Sequence, residues 1–510
     1  MKKYNKIIVE KINLFNKNFS NEINQIYSNY QKINNNNKEI KIKTRKIDFN
    51  NILVNYNKLY EFFIYYIENI LINDEISFKT ILMLLNINKI TIIKEIKKYK
   101  NNRFLIKNKN NIELYENYII TNFKNLNKLI QYLIIDYIDY IPDNITNRII
   151  NNIGEFKKHK FLYNKFTSYK IINNIKKTLK YESIITYNNN EFIIYNHSLE
   201  ELNKLKTQDI LKNIINIIYF FKNYTNSNKI PNLKIYYTHL KKEIPKNKNI
   251  FMNPLHVNTA STDIINNIIV YRKEDLIKTI IHECIHFYKL DINIDKQNEY
   301  ISNFYNSYFH KLLDINKESK IYINEGYVET IANLLYIIFT IHHKYSTKEL
   351  DITLFNKHLY KEIDYSITKI VIILKYFNYK NFNDLYIKKT NKTNKTNKTN
   401  KTNKTNKTNK TIKIRKFKQN TNVFSYYILK SCLLFNICEL FMLNHDKKIF
   451  LGYNELNQPY KDYLKKYHNT IIKPNFENKK NNNWIYLINE KFKIIKNNYK
   501  TLKMTHLNYD

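Results

Sequence analysis

Two histidines four residues apart, with a glutamate directly after the first, stand at His282-Glu283-Cys284-Ile285-His286. On an α-helix, positions i and i+4 share one face, so both imidazoles can reach a single cation, and Glu283 projects from the same side. A metal ion held this way activates water, and a neighbouring carboxylate can take the proton the water releases. Such a centre wants a third protein ligand and keeps one position open. Downstream, Ile323-Asn324-Glu325-Gly326-Tyr327-Val328-Glu329 sets two more carboxylates at i and i+4. One of Glu325 and Glu329 can serve as the third ligand while the other accepts a hydrogen bond from a ligand histidine and fixes its tautomer, with Asn324 as a further outer contact.

These groups work only if the segments carrying them are helical. At about 100° per residue, Ile277, Ile280, Ile281, Cys284, Ile285, Phe287 and Tyr288 fall on one arc. Thr279, His282, Glu283 and His286 fall on the opposite arc. The pattern predicts a helix from about residue 274, with one face on a core and the other on a polar cleft. Cys284 lies on the apolar side and is read as packing. The alternative is an ordinary amphipathic helix whose histidines do nothing.

A β-like run over 268–272 leads into this helix, and an earlier one covers 233–238, with 253–264 between them read as loop. An edge strand at 268–272 would pair with an extended peptide and align its scissile bond. Arg272, at the end of that run, is a candidate for substrate binding, and with Tyr327, Tyr426 and Tyr427 for stabilising an oxyanion. Helical patterns follow near 296–313, 322–343 and 352–378.

HExxH followed by Asn-Glu at a helix start resembles the gluzincin metallopeptidases. INEGYVE is similar to both the thermolysin-type and the aminopeptidase-type forms of their second motif. The resemblance covers residues 266 to 330. It implies a zincin-like fold and Zn2+ held by His282, His286 and Glu325. It also implies Glu283 as general base, Glu329 where thermolysin-like enzymes place an outer-shell Asp, and a peptide or protein substrate. One departure is length: 38 residues separate His286 from Glu325, roughly twice the gap usual in those families, and a helical insertion at 296–313 would fill it. Metzincins are excluded, because HECIHFYKLDI lacks the following Gly and third His. The compositional drift and this arrangement also resemble uncharacterised HExxH proteins of large nucleocytoplasmic DNA viruses.

The whole chain reads as mainly α with a small β-sheet (α+β). A helical N-terminal region is expected over 1–225, a zincin-like catalytic domain over 226–385, a linker over 386–412 and a helical C-terminal region over 413–510. Within the first region, Tyr60–Ile72 and Asn127–Ile141 repeat apolar residues at helical spacing. The linker repeats Asn-Lys-Thr with no apolar residue and is expected to be disordered.

The formal charge of +40 suggests non-specific contact with polyanions. Yet Asn, Lys, Ile and Tyr dominate as in A+T-rich coding, and only Arg45, Arg103, Arg148, Arg272 and Arg415 supply guanidinium groups. A dedicated nucleic-acid reader leans on Arg. A basic helical structural or nucleic-acid-associated protein with an inactive HExxH is the competing reading. Three cysteines without a CxxC pair fit a reducing compartment. The basic start lacks an apolar h-region, and no stretch reaches the roughly 18–20 apolar residues of a membrane span. A soluble intracellular protein follows, cytoplasmic, or in the host cytoplasm if viral.

Overall fold

A computed structural model describes residues 2–35, 40–47, 162, 167–246, 251–262, 267–291, 298–345, 349–387, 416–443, 466–479, 482–495 and 501–507. The chain forms two compact units, 1–45 with 181–510, and 46–180. The helical segments expected at 60–72 and 127–141, and almost all of the expected linker, lie outside the described residues.

In chain order the larger unit starts with α1 (Lys2–Asn35) and β1 (Lys41–Lys46), the last residue of which falls in the smaller unit. The smaller unit contributes α2 (Tyr169–Thr178), whose first turn Ser168 caps by accepting from the Lys170 amide. Then come β2 (Tyr181–Tyr187), β3 (Asn190–Asn196), α3 (Leu199–Thr207), α4 (Ile210–Tyr224), β4 (Asn232–Tyr236), α5 (Pro254–Val257), β5 (Ala260–Thr262) and β6 (Asn267–Val270). The remaining α-helices are α6 (Leu276–Phe287), α7 (Asn298–Leu312), α8 (Ile323–Tyr345), α9 (Ile352–Tyr376), α10 (Lys430–Phe435), α11 (Ile437–Met442), α12 (Lys473–Glu477) and α13 (Asn483–Ile494). A π-helix, Phe424–Leu429, runs directly into α10.

The protein is therefore mixed helix and sheet, as the α+β expectation has it. The sheet order is β1-β2-β3-β4-β6-β5. Strands β3, β4 and β6 run parallel, while β2 and β5 are antiparallel to their neighbours β3 and β6. Strands β1, β2 and β3 lie inside the stretch expected to be helical. The β2–β3 hairpin turns on Asn188 and Asn189, both left-handed at φ 49° and 62°, the geometry a two-residue type I′ turn demands. Asparagine tolerates that backbone better than most residues, so the Asn-rich composition hides a turn signal in plain view.

Two expectations about strands change. Of the stretch 253–264 expected as loop, the described residues 253–262 hold α5 and β5. Strand β6 is interior, flanked by β4 and β5, so the terminal strand beside α6 is β5. Three residues are too few for an alternation pattern to register, and β5 exists because β6 supplies its ladder: Ala260 pairs with Val270, Ser261 with Ile269 and Thr262 with Ile268.

Helix α6 packs against α4, α8, β5 and β6. Its apolar arc is buried apart from the half-buried Phe287, but Lys278, Thr279, His282 and Glu283 are buried too, so of the polar face only the half-buried His286 stays partly open. Helix α8 is buried along nearly its whole length and touches α6, α9, α10 and the π-helix. Each large apolar side chain it buries is worth about 1.5–3 kcal/mol, which fixes the helix carrying Glu325 and Glu329. Gly326 is what lets the π-helix approach: a Cβ there would stand 2.8 Å from Leu429 Cβ. No helix among the described residues is long and apolar enough to cross a membrane.

Candidate metal centre

The expected ligands converge. His282 Nε2 and His286 Nε2 lie 3.1 Å apart. Glu325 Oε2 lies 3.5 Å from the first and 3.6 Å from the second. Ligands at zinc distances in a tetrahedron stand about 3.3–3.4 Å from one another, so all three separations fall near the value a shared ion imposes. Among the described residues this is the one His/Cys/Asp/Glu group of that kind. His282 is buried, and the side chains of His286 and Glu325 are each 20% exposed, so the cluster opens on one side.

The tautomers follow from the far side of each ring. His286 Nδ1 lies 2.8 Å from Asp291 Oδ2, and His282 Nδ1 lies 2.9 Å from Glu329 Oε1, the latter carboxylate off the ideal N–H axis. With each Nδ1 turned to a carboxylate, both Nε2 lone pairs point into the same space. Glu325 Oε2 joins them there, buried and accepting no hydrogen bond. Three electron pairs facing one another repel unless a cation or protons lie between them. This donor set, two imidazoles and one carboxylate each steadied from behind, fits Zn2+.

Electrostatics agree. Burial alone would lift the Glu325 carboxyl, yet the imidazoles of His282 and His286 beside it hold it far below the usual carboxylate range. Burial opposes charge on His286, but Asp291 and Glu325 outweigh it and raise its pKa well above the ordinary imidazole value. The same contest at His282, with Glu325 and Glu329 as partners, also ends in a raised pKa. The pocket thus favours positive charge at the point where the ring nitrogens meet.

Several outer contacts have no local sequence signal. At the end of α6, Lys289 takes a left-handed φ of 54° and the Leu290 amide donates back to the Ile285 carbonyl. This returning turn carries Asp291 to His286, and Asn324 Nδ2 donates to the same Asp291 oxygen at 3.1 Å. Asn324 therefore acts through Asp291. Lys278, one turn before His282, donates to Glu329 Oε2. Thr262, on the terminal strand β5, donates to Glu283 Oε2 at 2.6 Å. An i−4 lysine and a residue five past the second histidine are the only traces these groups leave in the sequence.

The four groups considered for an oxyanion separate clearly. Arg272 is fully buried, and its guanidinium donates to the carbonyls of Asn258 and Lys241 at 2.8 Å and of Leu255. Those contacts knit the strand ends and loops together, so the expected substrate role of Arg272 is replaced by a structural one. Tyr327 is fully buried, and the Tyr427 hydroxyl donates to the Leu502 carbonyl at 2.6 Å. Tyr426 differs. It is half-buried, its ring stands edge-on to His282 with centroids 6.1 Å apart, and its oxygen accepts from Asn422 at 3.4 Å. Its own proton meets no acceptor among the described residues. Burial, then the charges of Glu325, Glu329 and Glu283, push the phenol well above its ordinary value, so it keeps that proton at neutral pH.

Compared with known proteins, the chain matches no family model, no curated protein and no solved structure. What supports a function is the geometry of its own residues.

Proposed function

We propose that this chain is a zinc-dependent metallopeptidase with a zincin-like, gluzincin-type centre. The observation that carries this reading is the convergence of His282 Nε2, His286 Nε2 and Glu325 Oε2 at 3.1–3.6 Å, with Glu283 next to His282 on the same helix and held by Thr262. His282, His286 and Glu325 hold the ion, and Asp291 and Glu329 fix the two rings. Zinc in such a site polarises a carbonyl and lowers the pKa of water towards neutrality. Glu283, steadied by Thr262, takes the proton released as the attacking water's oxygen bonds to the carbonyl carbon. It returns that proton to the amide nitrogen as the C–N bond breaks. Tyr426 donates to the oxygen that gains negative charge. Strand β5, next to Glu283, is the edge along which an extended peptide would lie.

The test is metal analysis with a paired variant. Protein purified without chelators should carry about one zinc per chain and hydrolyse a quenched-fluorescent peptide library. Glu283→Gln should keep the zinc and lose hydrolysis by about 1,000-fold or more, while His282→Ala should lose both. A chain that takes up no zinc, or a Glu283→Gln variant of full activity, sinks the proposal.

A further inference from the structure

A second set of buried charges lies beyond the metal centre and shares one feature: it reads the main chain of residues 501–507. Burial alternates over Thr501, Leu502, Lys503 and Met504, exposed or half-buried against buried, as in an extended strand. Thr501 forms an antiparallel bridge with Glu243. The Leu502 amide donates to the Lys242 carbonyl at 2.8 Å. Lys369 donates to the Thr501 carbonyl at 2.9 Å and Lys430 to the Met504 carbonyl at 2.8 Å. The Met504 amide donates to Asp275 at 2.9 Å, and the His506 amide to Glu362 at 3.1 Å. The hydroxyls of Tyr427 and Tyr365 reach the Leu502 and Lys503 carbonyls at 2.6 and 3.2 Å.

Four buried ionisable groups cost several kcal/mol each to desolvate, and apolar residues would hold a core at lower cost. Carbonyls answered by lysines, amides answered by carboxylates, and pockets for Leu502 and Met504 are how a groove binds an extended peptide. We propose that α6, α9, the π-helix and α10 form a peptide-binding groove, occupied in cis by residues 501–507 and open to the same peptide in trans once that segment is severed. The groove is coupled to the metal centre. Lys278 Nζ lies 3.5 Å from Met504 Sδ and pairs with Glu329, which faces His282. Filling the groove thus fixes the lysine that fixes the carboxylate behind a ligand histidine. Only this coupling rests on the proposed zinc centre.

The experiment uses the full chain with a site-specific protease sequence in place of residues 496–500, cut after folding. A fluorescein-labelled peptide of residues 501–507 is then followed by anisotropy. The cut chain should take it up saturably, the uncut chain should not, and a peptide carrying Leu502→Asp and Met504→Asp should bind at least about 100-fold more weakly. No uptake by the cut chain, or equal uptake by the uncut chain or of the Asp peptide, overturns the groove. In parallel samples loaded with cobalt(II), the visible ligand-field bands should weaken when the cut segment is dialysed away and return with the peptide. Bands that ignore the peptide overturn the coupling alone. An intact chain that binds neither cobalt nor zinc overturns the zinc centre and the coupling with it, while the anisotropy result still decides the groove.

Discussion

Two clusters of buried charge sit within the larger unit, and they are built on opposite terms. Around Glu362, every group has an answer. One carboxylate oxygen accepts from Thr505 Oγ1 at 2.8 Å, from the His506 amide at 3.1 Å and from His506 Nδ1 at 2.7 Å. The other faces Lys430 at 3.5 Å. Around Glu325, lone pairs face lone pairs: two ring nitrogens 3.1 Å apart and a buried carboxylate oxygen without a donor. Burial of charge is common to both and so marks neither as functional. The difference lies in satisfaction. A cluster closed by its own protein partners holds a fold together, whereas one left open around a common point is arranged for a guest.

That contrast can be broken most forcefully by removing the acid from each cluster. Glu362→Ala leaves Lys430 buried without its counter-charge and should cost about 3–5 kcal/mol in urea unfolding, by the same amount with or without zinc. Glu325→Gln keeps the shape of a half-open site and should cost the zinc-free protein far less, yet abolish the stabilisation that added zinc gives the wild type. Equal losses from the two variants would erase the distinction.

Acid should separate the clusters next. Burial alone would raise the Glu362 carboxyl, but Lys430 and His506 bring it from 4.5 down to about 2. The unfolded chain therefore takes up this proton first as pH falls. The contribution, about 3 kcal/mol, is fully present above pH 4.5 and drains away as pH drops towards 2. Unfolding free energies measured between pH 6 and 2 should fall over that window, and Glu362→Gln should flatten the slope. On acidification, zinc binding should be lost before that window is reached, because His286, with its raised pKa, must give up a proton to become a ligand and is reprotonated first.

How much of this was legible in the chain itself differs in the same way. His282, His286, Glu325 and Glu329 could be named because helical periodicity is local: i and i+4 share a face whatever the rest of the molecule does. The boundaries of α8 and α9 were readable for that reason too, and α7 fills the long gap between His286 and Glu325. Asp291, Lys278 and Thr262 could not be named, since each meets the site only through a turn, a neighbouring helix or a strand pairing. Strand β5 is defined by its partner rather than by its own three residues. Arg272 was misread because a lone guanidinium at a strand end looks like a site, when three of its donors are taken by the carbonyls of Asn258, Lys241 and Leu255. The 501–507 segment leaves only a four-residue polar–apolar alternation, because what is read there is main chain.

A finer probe compares the two sides of the proposed metal centre. Asp291 is shared between His286 and the neutral amide of Asn324, while Glu329 is shared between His282 and the cation Lys278. Asp291→Asn preserves shape but weakens the acceptor behind His286. Zinc affinity, measured by competition with a chelating dye, should fall about 10- to 100-fold, with the zinc-free stability almost unmoved. Glu329→Gln should weaken zinc as well, and in addition destabilise the zinc-free chain, because Lys278 is then buried without its partner. Matching stabilities for these two variants would show that Lys278 is indifferent to Glu329.

The smallest expected effect tests whether β5 belongs to the centre or only borders it. The Thr262 hydroxyl holds one oxygen of Glu283 at 2.6 Å, leaving the other to take a proton, and Thr262 keeps its strand register by pairing with Ile268. Thr262→Val has the same branching and β preference, so strand and fold should survive, and the zinc content should stay at wild-type level because no ligand is touched. The turnover rate should drop about tenfold, near the value of one hydrogen bond to a charged group, with KM unchanged. Thr262→Ser, which restores the hydroxyl but not the methyl, should recover most of that loss. If Val and Ser behave alike, packing rather than the hydroxyl is what matters, and β5 is then a wall of the cleft instead of a part that aims its base.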